Sequence, residues 1–418
     1  MTSTPSPVAS PSSSPSSSSA VIAVVSAAFF VDMLTYTMVV PFLPLVAAAQ
    51  GASSSSTGVL FGSYAAALLV GSWAMASLLR RHGTRRLMVG GLLGLVVTTV
   101  LYLRADSYVG LLVARTLQGV AAAATWTAGP AVLASSTSSS RRGRVLAVAH
   151  AGSALGTLLG PPVGGALYRL SPSAPFVVLV AVVVIALLGA LRVLPTGTTI
   201  TARAVPLSKL LRNPGVVVVG LTIAVGGGVM TMLEPVMPLY LARRFDVDTS
   251  TIGLLFGCAL VCYAVAAAPV GVLADRFGSV VVSAVGLVAS AAILPLLTIA
   301  PSVPTIAVTF AVLGIAMCFT LAPGMAAMAT AVDVAWRGEG GRDDVDYATV
   351  YAIYNTAYAI GMFAGPVIGS GLVDVVDVAG AVQIVAVACA LSAAVAWWAR
   401  PGARSARSSS SLASPPSA

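Results

Sequence analysis

From about residue 20 to residue 399 one element recurs: an apolar run closed off by a short cluster of charge, Ser/Gly or Pro. Most runs reach about 20 residues, and at ~1.5 Å per helical residue that length crosses the ~30 Å hydrocarbon core of a bilayer. Only 8% of the 418 residues are charged and 58% are hydrophobic. A soluble domain carries about 25% charged residues. The chain therefore reads as an all-α integral membrane protein, with the lipid bilayer as its first partner. Twelve spans are predicted, at about 20–47, 57–79, 86–104, 108–134, 144–170, 174–194, 214–241, 250–274, 278–300, 303–331, 347–373 and 376–399.

The remaining segments are polar. Residues 1–19 form a Ser/Pro-rich tail and residues 400–418 a second one. Neither can bury enough apolar surface to order itself, so both are expected to be disordered. No Lys or Arg precedes the first apolar run, so the start does not read as a cleaved signal peptide. A polar connector at 195–213 divides the spans into halves at 20–194 and 214–399, six spans each.

The layout can be tested on charge. Seventeen of the 22 Arg and Lys residues fall on the side that holds the connector and both tails, four fall on the other side, and Arg115 lies inside a span. Such a bias predicts cytoplasmic termini. It also accounts for the net charge of +9 as topology, so no nucleic-acid partner is expected.

The halves repeat one another. G-T-L-L-G-P-P-V-G-G at 156–165 matches G-M-F-A-G-P-V-I-G-S at 361–370, an offset of 205. L-R-R-H-G at 79–83 matches A-D-R-F-G at 274–278, offset 195, and P-F-L-P at 41–44 matches P-V-M-P at 235–238, offset 194. Two six-helix units in the same orientation are one plan of secondary transporters, with a site near the midplane between them.

Charge inside the spans is scarce. Of thirteen acidic residues only Asp32 and Glu234 lie deep in a span, and Arg115 is the base there. Ionisable groups at such depth are costly and face a cavity or one another. They are either an ion pair that ties helices together or a proton-linked gate. Arg115 and Glu234 each sit about seven residues, or ~10 Å, inside the same surface, so they are expected to pair. Asp32 lies deeper. These three are the candidates for proton coupling and gating. Tyr36 is one turn from Asp32 and Gln118 one turn from Arg115, while Tyr351, Asn355 and Tyr358 share a face of the eleventh span. Together with Asp32 and Glu234 they form the candidate substrate site.

Small residues and prolines point to movement. Gly156, Gly160, Gly164 and Gly165, beside Pro161, give the fifth span a flat face that permits close helix approach. Gly365 and Pro366 repeat it in the eleventh. Pro235, next to Glu234, removes a backbone hydrogen bond and is expected to kink its helix. His82 reads as solvated, and His150 as a bystander or a member of a proton path. Cys258, Cys262, Cys318 and Cys389 read as apolar filler rather than metal ligands. The chain lacks a phosphate-binding G-x-x-x-x-G-K-[ST] loop and a nucleophile–His–acid set, so neither direct ATP drive nor enzyme activity is expected, nor any cofactor.

These motifs resemble the major facilitator superfamily, and within it the drug:proton antiporters. A-R-T-L-Q-G-V-A-A-A-A at 114–124, the G-P-P-V-G-G run and G-V-L-A-D-R-F-G at 271–278 look like that family's fourth-helix, fifth-helix and loop motifs. The loop motif adds Asp275 and Arg276 as conformational residues. D-M-L-T-Y-T-M-V-V-P-F-L-P at 32–44, M-L-E-P-V-M-P at 232–238 and L-G-P-P-V-G-G-A-L-Y at 159–168 are similar to the vesicular monoamine and acetylcholine transporter branch. The resemblance implies that Asp32 binds a cationic amine while Glu234 and Arg115 form the proton-linked network. The chain departs from that branch where Tyr64 replaces a Lys, where Asn355 replaces an Asp, and around Phe319–Pro323, which holds no acid.

The reading that follows is a proton-coupled antiporter exporting a small organic cation, drug or metabolite, acting as a monomer in the plasma membrane or an acidic organelle membrane. Its rivals are an organic-anion exporter anchored on Arg115, a uniporter without proton coupling, and a non-transporting receptor.

Overall fold

A computed structural model describes residues 15–137, 141–195, 212–338 and 347–398. Most of both tails and of the 195–213 connector lie outside the described residues. Among the described residues the fold is wholly helical. The first half comprises α1 (Pro15–Met38), α2 (Leu43–Ala49), α3 (Ser54–His82), α4 (Thr84–Leu103), α5 (Tyr108–Ser136), α6 (Arg142–Leu170) and α7 (Ala174–Val193). The second comprises α8 (Pro214–Phe245), α9 (Thr249–Phe277), α10 (Ser279–Ile293), α11 (Leu296–Ile299), α12 (Val303–Leu321), α13 (Gly324–Gly338) and α14 (Tyr347–Trp398).

Eleven described helical segments are long and apolar enough to cross a membrane. The last of them bends back at Val376 and Asp377, whose backbone leaves the helical region (Asp377 φ 62°), so α14 supplies two crossings and the described residues twelve. Where the joins lie within the described residues they are short turns, and the long helices they connect run in opposite directions. We call the end where α7 stops and α8 begins the linker end, and the opposite one the far end.

Prolines set the interruptions. Pro41 has no N–H to offer, and the first span breaks there into α1 and α2 rather than running through to residue 47. Pro295 splits α10 from α11, and the turn at Ala322–Pro323 splits α12 from α13. Pro235 behaves differently, because α8 continues helical through Pro235 and Pro238. At its start α1 reaches back to Pro15, inside the stretch expected to be a disordered tail. Proline at the head of a helix lacks only a donor that has no helical partner anyway.

The repeat is built in space as well as in sequence. After α3 and after α9 the chain turns at Gly83 (φ 81°) and Gly278 (φ 92°), 195 residues apart, where a side chain would be strained. A Cβ on Gly156 of α6 would overlap the Phe30 carbonyl of α1, and one on Gly361 would overlap the Ala224 carbonyl of α8. Gly160 and Gly164 continue the first seam against Thr37 and Met38; Gly365 continues the second against Gly228.

The halves meet through a matched pair of seams toward the far end. Gly58 of α3 lies against the Pro366 carbonyl of α14, and Gly253 of α9, 195 residues on, against the Pro161 carbonyl of α6. Gly165 packs on the carbonyl of Thr249 at the start of α9. Polar contacts at the same end add to them. The Ser55 backbone N–H donates to Asp374 at 2.9 Å, and Arg169 pairs with Asp248 at 3.1 Å.

Candidate functional site

Two buried carboxylates lie where the halves meet, each held by an aromatic side chain. Glu234 projects from the far-end half of α8 and is 8% exposed. Its Oε2 accepts from the Tyr36 hydroxyl of α1 at 2.7 Å, a bond between the halves. Glu234 is also the one ionisable side chain on the wall of an apolar cavity lined by Thr37, Val40, Thr157, Pro161 and Met230 and closed by residues of α9 and α12.

Arg115 is wholly buried. No direct ion pair joins it to Glu234, contrary to expectation. Its Nη1 donates to the Tyr36 carbonyl at 3.2 Å and to Gln118 Oε1 at 3.1 Å. The break at Pro41 makes that carbonyl available, because the Val40 N–H turns to Thr37 (3.1 Å) instead of Tyr36. The rings of Tyr36, Phe61 and Tyr64 stand 4.5, 5.0 and 5.2 Å from the guanidinium carbon. Such contacts are worth up to about 2 kcal/mol each once desolvated. Gln118 Oε1 takes a further bond from the Tyr102 hydroxyl at 3.3 Å. Tyr36 thus links base and acid through its two ends, and this relay replaces the expected pair. The Arg115 Nε and Nη2 and the Gln118 Nε2 make no hydrogen bond within the protein.

Asp32, fully buried on α1, has a separate setting. Trp126 Nε1 donates to its Oδ2 at 2.6 Å, while Oδ1 has no partner. The Tyr64 hydroxyl interacts electrostatically with this carboxylate without reaching hydrogen-bond geometry. The Tyr64 ring also packs on that of Tyr36 at 4.6 Å, so one tyrosine touches both settings. Among the described residues no Arg or Lys forms an ion pair with Asp32.

The eleventh-span residues divide between these settings. Tyr358 packs against the cluster that holds Tyr36 and Tyr64. Tyr351 reaches the Asp32 side instead, where its hydroxyl lies 3.2 Å from His150 Nε2. Asn355 donates to the Tyr351 carbonyl on its own helix at 3.0 Å. Asp275 and Arg276 are exposed at the linker end of α9, where Arg276 lies over the Phe277 ring, away from both carboxylates.

Two members of this arrangement were not among the sequence candidates: Trp126 and the Phe61–Tyr64 face of α3. Trp126 was within reach of sequence reasoning. It follows Arg115 by eleven residues, three helical turns, and so shares its face.

Comparison with known proteins fits this architecture. The family model of the Major Facilitator Superfamily matches residues 25–233 and again 219–416. The human chromaffin granule amine transporter is 30% identical over 327 residues, covering 76% of this chain and 60% of that protein. The human synaptic vesicular amine transporter is 29% identical over 75% of this chain and 61% of its own length. The chain thus spans about three-fifths of these relatives' length. The rat MFS-type transporter SLC18B1 is 23% identical over 82% of the chain and 78% of that protein. Among solved structures, a bacterial homologue of the human lysosomal transporter Spinster in an inward-facing conformation superposes with a TM-score of 0.76 at 14% identity, over 92% of this chain and 97% of that one. The chain belongs to the Major Facilitator Superfamily and is a multi-pass membrane protein. These relatives are transporters rather than enzymes.

Proposed function

We propose that the chain is a secondary transporter that exchanges protons for a small organic cation by alternating access. The observation that carries this reading is the contrast between the two carboxylates. Asp32 is buried with one oxygen unpartnered and no basic side chain against it, which suits a ligand that brings its own positive charge. Glu234 is tied through Tyr36 to Arg115 and bridges the halves, which suits a group whose protonation alters their contact. Protonating Glu234 removes the charge assistance from this bond and leaves a weaker neutral one from the Tyr36 hydroxyl. Deprotonation restores the charge assistance. The amine transporters among the relatives support a cationic substrate class.

The asymmetry of Arg and Lys supports cytoplasmic termini. Exchange against protons makes the acid side the destination of the cation, which means export from the cytoplasm by a monomer in the plasma membrane or the membrane of an acidic organelle. The test is uptake into proteoliposomes of purified full-length protein under an imposed pH gradient, with a panel of organic cations and organic acids. Gradient-stimulated cation uptake that is lost in Glu234→Gln and Asp32→Asn is the expected result. Unchanged gradient stimulation in Glu234→Gln overturns the coupling role.

One observation favours a second reading. Arg115 keeps two buried nitrogens, Nε and Nη2, without hydrogen-bond partners, and a planar guanidinium suits a carboxylate. Competition by organic acids but not by cations in the same assay is the result that selects it.

A further inference from the structure

His150 is one of two histidines in the chain, and the exchange outlined above gives it no part. It lies eight residues into α6 from the linker end and is half-buried. Its Nε2 is 3.2 Å from the Tyr351 hydroxyl of α14, a polar contact between the halves on the linker side of Asp32. Its ring tilts against Trp126 at 5.6 Å and against Phe29 at 5.4 Å. Those two rings stack on each other at 4.5 Å, and the Trp126 indole N–H is the donor to Asp32. One aromatic wall therefore joins the unpartnered carboxylate to a contact that both halves share.

We infer that His150 is a proton-binding residue coupled to Asp32 through Trp126, and that its bond to Tyr351 carries its charge state to the opposite half. The chemistry follows from the imidazole. In the neutral ring one nitrogen donates and the other accepts; in the imidazolium both donate. If neutral Nε2 accepts from Tyr351, uptake of a proton from water at that nitrogen obliges the tyrosine hydroxyl to turn and accept instead. The signal to α14 is this reversal of donor and acceptor. The faces of Trp126 and Phe29 favour a cation beside them. The negative charge of Asp32 beyond the indole favours it too, and a cation bound at Asp32 cancels that help. A proton on His150 and a cation on Asp32 are thereby made to compete.

The rings and groups that meet His150 come from three other helices. It meets Phe29 from α1, Trp126 from α5 and Tyr351 from α14. The titratable groups among and behind these are Tyr351 and Asp32. Along α6 itself Ser153 donates to the His150 carbonyl. Among the described residues no Asp, Glu, Lys or Arg forms an ion pair with the ring.

The competition rests on the transport reading; the titration does not, and the experiment separates them. In a His82→Gln background, which changes an exposed residue at the end of α3, His150 is the sole histidine. Nitrogen-15 labelling of histidine in the full-length protein in lipid nanodiscs then follows its two ring nitrogens across pH. A single protonation step is expected across the pH series. Asp32→Asn is expected to lower the midpoint, since the ring loses a nearby negative charge, and Tyr351→Phe to change which nitrogen carries the proton in the neutral form. A ring that holds one charge state throughout, or a midpoint that Asp32→Asn leaves in place, overturns the inference. In proteoliposomes His150→Gln is expected to lose most of the stimulation by a pH gradient, and stimulation equal to the parent's also overturns it. If no compound of the panel is transported, the transport reading fails while the titration still decides the role of His150.

Discussion

The Tyr36 hydroxyl donates to Glu234 across the two halves at 2.7 Å, while the carbonyl of the same residue takes a hydrogen bond from Arg115 at 3.2 Å. Acid and base inside the membrane are thus joined by a neutral side chain, and the state of one is felt by the other through a single residue of α1. A direct ion pair would hold the halves until its full charge separation was overcome. A phenol that can donate, or turn away, breaks at the cost of one hydrogen bond.

Tyr36→Phe tests that arrangement with little else changed. The ring over Arg115 stays, and only the donor to Glu234 is lost. The loss is expected to be about 1.5–3 kcal/mol of contact between the halves. Thermal unfolding in detergent should move down by a few degrees, and the pH profile of transport should shift against the parent. Superimposable profiles from Tyr36→Phe and parent protein rule out the relay.

Arg115→Lys separates charge from shape. The ammonium keeps the positive charge but not the flat guanidinium packed among Tyr36, Phe61 and Tyr64 or its bond geometry to Gln118 and the Tyr36 carbonyl. A loss of about 2 kcal/mol or more in stability is expected. A lysine variant as stable as the parent shows that charge alone is what the site needs.

Much of this was legible in the sequence because a bilayer makes charge expensive. Asp32, Glu234 and Arg115 stood out through that rule alone, and the three offsets of the repeat gave the paired halves. What did not follow was which groups touch. Depth placed Arg115 and Glu234 at one level but could not show that Tyr36 lies between them, since a one-dimensional estimate says nothing about helix rotation. Trp126 escaped for a different reason: one N–H on a large apolar ring costs far less to bury than a charge, so it does not stand out in an apolar run. The break at Pro41 and the continuous helix at Pro235 show that the same residue type either interrupts a helix or is accommodated, according to what the neighbouring helices supply.

The matched seams predict matched effects. Adding a side chain at Gly58 or at Gly253 drives it into the carbonyl of Pro366 or Pro161. Gly58→Val and Gly253→Val should each hold the far end apart. Cysteines placed at Ser55 and Asp374, in a background without the four native cysteines, should be joined by a short cross-linker in the parent. That yield should fall several-fold in either valine variant. Full cross-linking in both shows that the far end closes without these contacts.

Asp248 gives a prediction in pH. It caps α9 by accepting from the Thr251 N–H at 2.8 Å and pairs with Arg169 of the other half at 3.1 Å. The backbone bond from Thr251 is the main cause that holds its carboxyl below the ordinary range, with Arg169 adding to it. A carboxyl depressed in the folded state adds stability above its unfolded value of about 3.9, and that contribution disappears as pH falls through the depressed value. At neutral pH Asp248→Asn keeps a good capping side chain and loses only an exposed ion pair, worth about 0–1 kcal/mol. Asp248→Ala loses the cap as well, about 1 kcal/mol more. Melting temperatures should therefore rank parent, Asn, Ala near pH 7, with parent and Asn converging as the buffer is taken below about pH 4. A gap between parent and Asn that stays constant down to the most acid buffer places the stabilising effect elsewhere than in the charge of Asp248.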